Sequence, residues 1–223
     1  MMSDSRTSAG VDNISTYSKM WRYGIPGARQ FVICSAGNLA TTQAVITAIE
    51  RDIKNTAETS LLTVTDMHQA AEYIGNISAV VQEKAGGGAV FEATFLLAGE
   101  ILGSLSGLYM IYAQGNFIAS SRQVPYLQIG EMKYGKPILD RVIQESTPVD
   151  RAIVCGLISM DATLKSNLTV GPPIELYILQ HGSLTLGSYR SFGEDDEYMR
   201  DLRKLWNKAM ETAVDAMPRL ILS

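Results

Sequence analysis

FVICSAGNLATTQ, residues 31–43, changes its periodicity at Gly37 and so fixes both a strand and a helix. Its first half is a short apolar run rich in β-branched and aromatic residues, the pattern of a strand buried on both faces. Gly37 ends the run. Asn38 then has the side chain that accepts from an unpaired N–H in the first turn of a helix, which predicts a helix starting at Leu39. Beyond it, Val45, Ile46, Ile49 and Ile53 recur at helical spacing along one face.

Working outward, Asp66 is placed to cap a second helix, on which Ala70, Ile74, Ile77 and Val81 share a face. Gly86, Gly87 and Gly88 stop it, as glycines in the left-handed region commonly do. A third helix is expected to include Ile138 to Gln144. A fourth starts at Thr147-Pro148, with proline as its first helical residue, and carries Val149, Ala152, Ile153, Leu157 and Met160. A fifth runs from the acidic Glu194–Glu197 cluster through Trp206 to Met217, its negative start matching the helix dipole. Strand-like pieces are Gln30–Ser35, Phe91–Leu97, Leu108–Ala113, Phe117–Ser120 and Ile174–Gln180. Turn residues separate several of them, such as Gln114-Gly115-Asn116 and His181-Gly182-Ser183. Strands and helices come in groups and do not alternate, which predicts an α+β fold of antiparallel sheets with helices packed outside. No repeat, low-complexity segment or linker interrupts residues 1–223, so one domain is expected.

Composition narrows the function classes. The chain has 223 residues, 46% of them hydrophobic and 19% charged, enough for a large core without disulfides. A net charge of −4 and the lack of a Lys/Arg cluster argue against a nucleic-acid partner. Cys34 and Cys155 lie in apolar runs and read as free buried thiols. His68 and His181 have no partners at metal-ligand spacing, so no metal is expected. The polar start MMSDSRTSAG is unlike a secretory signal, and the most apolar stretch, Ala89 to Ala113, is broken by Glu92, Glu100 and several glycines. A cytoplasmic protein without a membrane partner is expected. Tyr134, Trp206 and the methionines are taken as core or interface.

DSRTSAGVDNISTYSKM at 4–20, followed by FVICSAGNLATTQ, resembles the opening of proteasome-type β subunits. The likeness is greatest to the bacterial ancestral β subunits known as the Anbu family. It continues in GLYMIYAQGNFI at 107–118, IGEMKYGKPILDR at 129–141 and GPPIELYIL at 171–179, and so runs from end to end. The resemblance implies an N-terminal-nucleophile (Ntn) hydrolase fold, a four-layer αββα sandwich of two antiparallel sheets covered by helices. It implies a threonine-type peptidase or amidohydrolase acting on peptide or amide substrates, with no cofactor. In such enzymes an N-terminal threonine hydroxyl attacks the amide carbonyl and its own α-amine takes the proton.

By the same likeness, Asp4 and Lys19 correspond to the aspartate and lysine behind the nucleophile, although their spacing is one residue shorter than in proteasome subunits. Gly37 corresponds to the glycine whose N–H binds the oxyanion, and the start of a helix is independently a natural place for an anion. Thr7, Ser8 and Ser35 would line the substrate cleft. The family's aspartate and serine near the last central strand fall near Asn167 and Thr169. Where proteasome subunits have a serine in a Gly-Ser-Gly turn, this sequence reads Ile129-Gly130-Glu131. Asn167 can accept a hydrogen bond but carries no charge.

The family's nucleophile and first strand precede the Asp4 position, whereas the sequence opens at Met1-Met2-Ser3. A fold with its first strand missing and a polypeptide inert as a peptidase are therefore expected. Two origins stay open: an internal methionine read as the start of a longer product, or a subunit that keeps the fold without the chemistry. A small-substrate amidase of the same superfamily is a further alternative. The resemblance also implies homo-oligomers, as a closed ring or an open spiral.

Overall fold

The first two helix starts predicted from the sequence are formed by side-chain caps. Asn38 Oδ1 accepts from Thr41 N at 3.0 Å, and Asp66 Oδ1 accepts from Gln69 N at 2.9 Å. The computed structural model describes residues 1–8, 14–185 and 187–220. In chain order the strands and helices are β1 (Met2–Ser3), β2 (Arg6–Ser8), β3 (Ile14–Thr16), β4 (Met20–Ile25) and β5 (Arg29–Gly37), then α1 (Leu39–Lys54) and α2 (Met67–Lys84). There follow β6 (Ala93–Ile101), β7 (Gly107–Ile111), β8 (Phe117–Ala119), α3 (Lys136–Val142), α4 (Val149–Ser166), β9 (Ile174–Ile178), β10 (Ser188–Phe192) and α5 (Glu197–Asp215).

These elements build the expected four layers. A five-stranded antiparallel sheet has the order β4-β5-β6-β7-β8, and a three-stranded one the order β1-β9-β10. Strands β2 and β3 pair separately. Alternation along β5 sends Phe31 and Ile33 toward α1 and α2, where they join Val45, Ile49, Ile74, Phe95 and Leu97 in a buried cluster. Val32 and Cys34 point the other way and meet Met20, Leu96 and Tyr177 between the two sheets. Leu157 of α4 and Met199 of α5 close the outer side of β9 on Ile174 and Leu176. Gly75 of α2 lets the helix approach the Gly115 turn, since a Cβ there would lie 2.1 Å from Gly115 O.

Several boundaries differ from the sequence reading. Strands β4 and β10 were not expected. Each is an edge of its sheet and mostly solvent-facing, so neither has the apolar run of a buried strand. Pro148 caps α4 and does not open it: its backbone is extended and its carbonyl accepts from Ala152 N at 2.9 Å. Val149, placed on the buried face of that helix, is 61% exposed. The third helix spans Lys136–Val142, with Pro137 in its first turn, and so stops short of the expected Gln144. Phe91 lies in a 3-10 turn at Ala89–Phe91, ahead of β6. Among the described residues, no helix is long and apolar enough to cross a membrane.

Candidate active site

Asp4 lies in the link between β1 and β2, and Lys19 immediately before β4. Separate segments carry them, yet Lys19 Nζ is 2.7 Å from Asp4 Oδ1. The other carboxylate oxygen, Oδ2, accepts from the backbone N–H groups of Arg6 and Gly171, each at 3.1 Å. Asp4 is thus held by three donors, one of them charged, and its side chain is 13% exposed. Lys19 is fixed from behind as well, because its carbonyl accepts from Ser35 N at 3.1 Å.

The pair opens onto a cavity of about 530 Å³, large enough for a few substrate side chains. Leu96, Leu127, Ile129 and Met160 supply apolar lining, while Thr7, Ser35, Glu131 and Thr169 supply polar groups. Gly37 lines it too, at the junction of β5 and α1. Its φ of +110° and a hypothetical Cβ only 2.4 Å from Glu92 O show why glycine stands there. The structure therefore gathers Asp4, Lys19, Gly37, Thr7, Ser35 and Thr169 around one space. Ser8 closes β2, and its side chain lies outside the described residues.

Asn167 is the C-terminal cap of α4 and stands just behind the cavity wall. Its Oδ1 accepts from Thr169 N at 2.9 Å and from Thr169 Oγ1 at 2.7 Å. Its Nδ2 donates to Glu131 Oε2 at 3.0 Å. Sequence reasoning noted a missing serine at the Glu131 turn and a missing charge at Asn167 without connecting them. The fold joins them, so that a carboxylate does stand at this corner, contributed from the other loop. The Lys133 N–H, with help from the Asn167 amide, holds the Glu131 carboxyl below its ordinary range.

Cys34 also lines the cavity, but burial pushes its thiol up to about 12, so it is no nucleophile near neutral pH. The site's chemistry thus consists of an anchored Lys–Asp pair, a glycine at a helix start and a polar corner beside an apolar recess.

No protein-family model and no curated protein sequence matches the chain. Solved structures do. The ancestral β-subunit Anbu from Yersinia bercovieri is 43% identical, with a TM-score of 0.95, over 100% of this chain and 94% of that one. Anbu from Hyphomicrobium sp. strain MC1 is 38% identical, with a TM-score of 0.93, over 99% of this chain and 94% of that one. The Anbu complex from Pseudomonas aeruginosa, described as a helical assembly, is 38% identical, with a TM-score of 0.93, over 99% and 92% of the two chains. Identity at this level over nearly the whole length, in a shared four-layer fold, shows that the chain belongs to the Anbu family of proteasome-like bacterial β subunits.

Proposed function

We propose that the cavity beside Asp4 and Lys19 is the site of an N-terminal-nucleophile amidohydrolase, acting on peptides or other amides. The observation that carries this reading is the 2.7 Å Lys19–Asp4 contact inside a cavity that Gly37 also lines. An ammonium held in place by a carboxylate lowers the cost of charge developing on an attacking oxygen, and N–H groups at a helix start suit the tetrahedral oxyanion. In the proposed reaction a threonine hydroxyl attacks the amide carbon and its proton passes to the threonine's own α-amine. The α-ammonium passes that proton to the leaving nitrogen, collapse expels the amine and leaves an ester, and water hydrolyses the ester to the acid and the free threonine. Thr7 and Ser35 would face the substrate, with Thr169 and the Glu131–Asn167 pair beside the reacting end.

Attacking oxygen and proton acceptor must belong to one terminal amino acid. We therefore propose that activity requires a free N-terminal Thr, Ser or Cys beside the Lys19–Asp4 pair, and that this residue is the one that reacts. Intact mass of the protein from its native source, with labelling by a threonine-directed epoxyketone or β-lactone, tests both points. Protein whose N-terminal residue is threonine should be labelled on that residue, and D4N or K19A should abolish labelling. A free N-terminal threonine that never reacts would overturn the reading in favour of a non-catalytic particle.

Self-assembly is proposed for residues 1–223 acting as one unit. The Pseudomonas aeruginosa relative forms a helical assembly, and in this chain Leu205, Val214 and Leu220 at the C-terminal end are exposed apolar residues. Sedimentation should show particles much larger than 24.3 kDa. Monomers alone at micromolar concentration would contradict it.

A further inference from the structure

Glu175 is a buried carboxylate, 7% exposed, with no cationic partner among the described residues. On β9 its neighbours Ile174 and Leu176 face the α4–α5 core, so alternation turns Glu175 to the opposite face, as it does Tyr177. Three hydroxyls satisfy it. Tyr189 Oη donates to Oε1 at 2.8 Å. Ser18 Oγ donates to Oε2 at 2.7 Å, and Ser5 Oγ to the same oxygen at 3.4 Å. Removing a carboxylate from water and matching it with neutral donors alone is an expensive way to fill a strand position.

Where those serines sit gives the cost a purpose. Ser5 follows Asp4, and Ser18 precedes Lys19. One oxygen of Glu175 therefore grips the immediate neighbours of both members of the cleft's ion pair. The backbone reinforces the same junction, since Tyr17 N donates to Ser5 O at 2.8 Å and Met20 N donates to Ser18 Oγ at 3.2 Å. Arg22 lies 4.4 Å from the centre of the Tyr189 ring, on the aromatic partner of the same carboxylate. We propose that Glu175 is a positioning residue. Through Ser18 and Ser5 it sets the distance and direction at which Lys19 meets Asp4, while itself staying out of the cavity. This inference rests on the reading of the cleft given above, but its test needs no turnover.

Competitive reductive methylation of the 223-residue protein, read lysine by lysine by peptide mass spectrometry, measures how firmly Lys19 is held. D4N, which removes the partner charge, sets the upper limit. E175A should raise the Lys19 rate about tenfold, as expected for losing a hydrogen bond to a charged group, and S18A about threefold. E175Q, which keeps one acceptor oxygen, should fall between wild type and E175A. Lys54 and Lys84, at the ends of α1 and α2, should not change. The proposal is overturned if D4N raises the Lys19 rate while E175A and S18A leave it at the wild-type value. It is equally overturned if all lysines rise together, since that is general loosening. Should E175A fail to fold, S18A decides. A threonine-terminated protein that ignores electrophiles would leave these rates untouched, so the two readings fail separately.

Discussion

The two faces of the five-stranded sheet are built differently. Toward α1 and α2 lies a continuous apolar layer in which Phe31, Ile33, Ile49, Ile74, Phe95 and Leu97 are fully or almost fully buried. Toward the second sheet, among the described residues, Met20, Val32, Cys34, Leu96 and Tyr177 form a smaller buried apolar cluster, of which Cys34 and Leu96 also line the cavity. The first face spends its apolar surface on stability. The second leaves room for a substrate and holds its charged groups with hydrogen bonds. Stability and chemistry are thus divided by a single layer of strands, which predicts that mutations on the two sides fail in different ways.

The sharpest break should come from the packed face. Phe95→Ala removes a ring that is 0% exposed, and should cost about 3–5 kcal/mol in denaturant unfolding. On the cavity face, Ile129→Ala should cost only about 1 kcal/mol, because that side chain is partly buried and already borders open space. Equal costs would mean that the two faces are packed alike.

Gly37→Ala comes next, at the border of the two regions. The added Cβ would meet Glu92 O at 2.4 Å in a backbone conformation that disfavours side chains, so about 1–3 kcal/mol should be lost. Any electrophile labelling of a threonine-terminated protein should disappear as well, because the junction of β5 and α1 must move. Full stability together with full labelling would separate Gly37 from the site.

What the sequence revealed follows the same division. Helices α1 and α2 were legible because burial of one face imposes a 3.6-residue period, and because Asn38 and Asp66 are chemically suited to their caps. Strand β5 was legible as an apolar run. The edge strands β4 and β10 were not, since most of their side chains, Arg22, Tyr189 and Arg190 among them, are exposed and form no apolar run. Asp4, Lys19 and Gly37 were reachable through the family likeness, and the structure brings them to one cavity. The contact between Glu131 and Asn167 was not reachable, because no periodicity links a loop residue to a helix cap 36 positions away. Glu175 did leave a trace in the sequence. In Ile174-Glu175-Leu176-Tyr177-Ile178 a carboxylate occupies the alternate face of a strand otherwise apolar on both sides.

Acid should affect the cavity face first. The Glu131 carboxyl titrates below its ordinary range in the folded protein, chiefly because of the Lys133 N–H. Its contribution to stability is complete above the unfolded glutamate value and is lost as pH falls through the lower, folded value. E131Q should therefore lower the melting temperature at neutral pH, flatten the acid limb of a thermal-stability profile and converge with the wild type in acid. An unchanged acid limb would show that Glu131 is not tied to Asn167 and Lys133 in solution.

The smallest signal expected is no reaction at all. Cys34, 2% exposed, has its thiol pushed up to about 12 by burial, and burial raises Cys155 as well. At pH 8 the thiolate, which is the reacting form, is then a negligible fraction of Cys34. Native protein should give almost no colour with a disulfide reagent over minutes, and denatured protein should react at both cysteines. Cys34 is the more informative of the two, because it belongs to the packed cluster between the sheets and also lines the cavity. Its silence would show that the thiol stays protonated and enclosed at that wall. Rapid modification of Cys34 alone would mean that the two sheets separate easily, and the division between a rigid face and an open one would have to be redrawn.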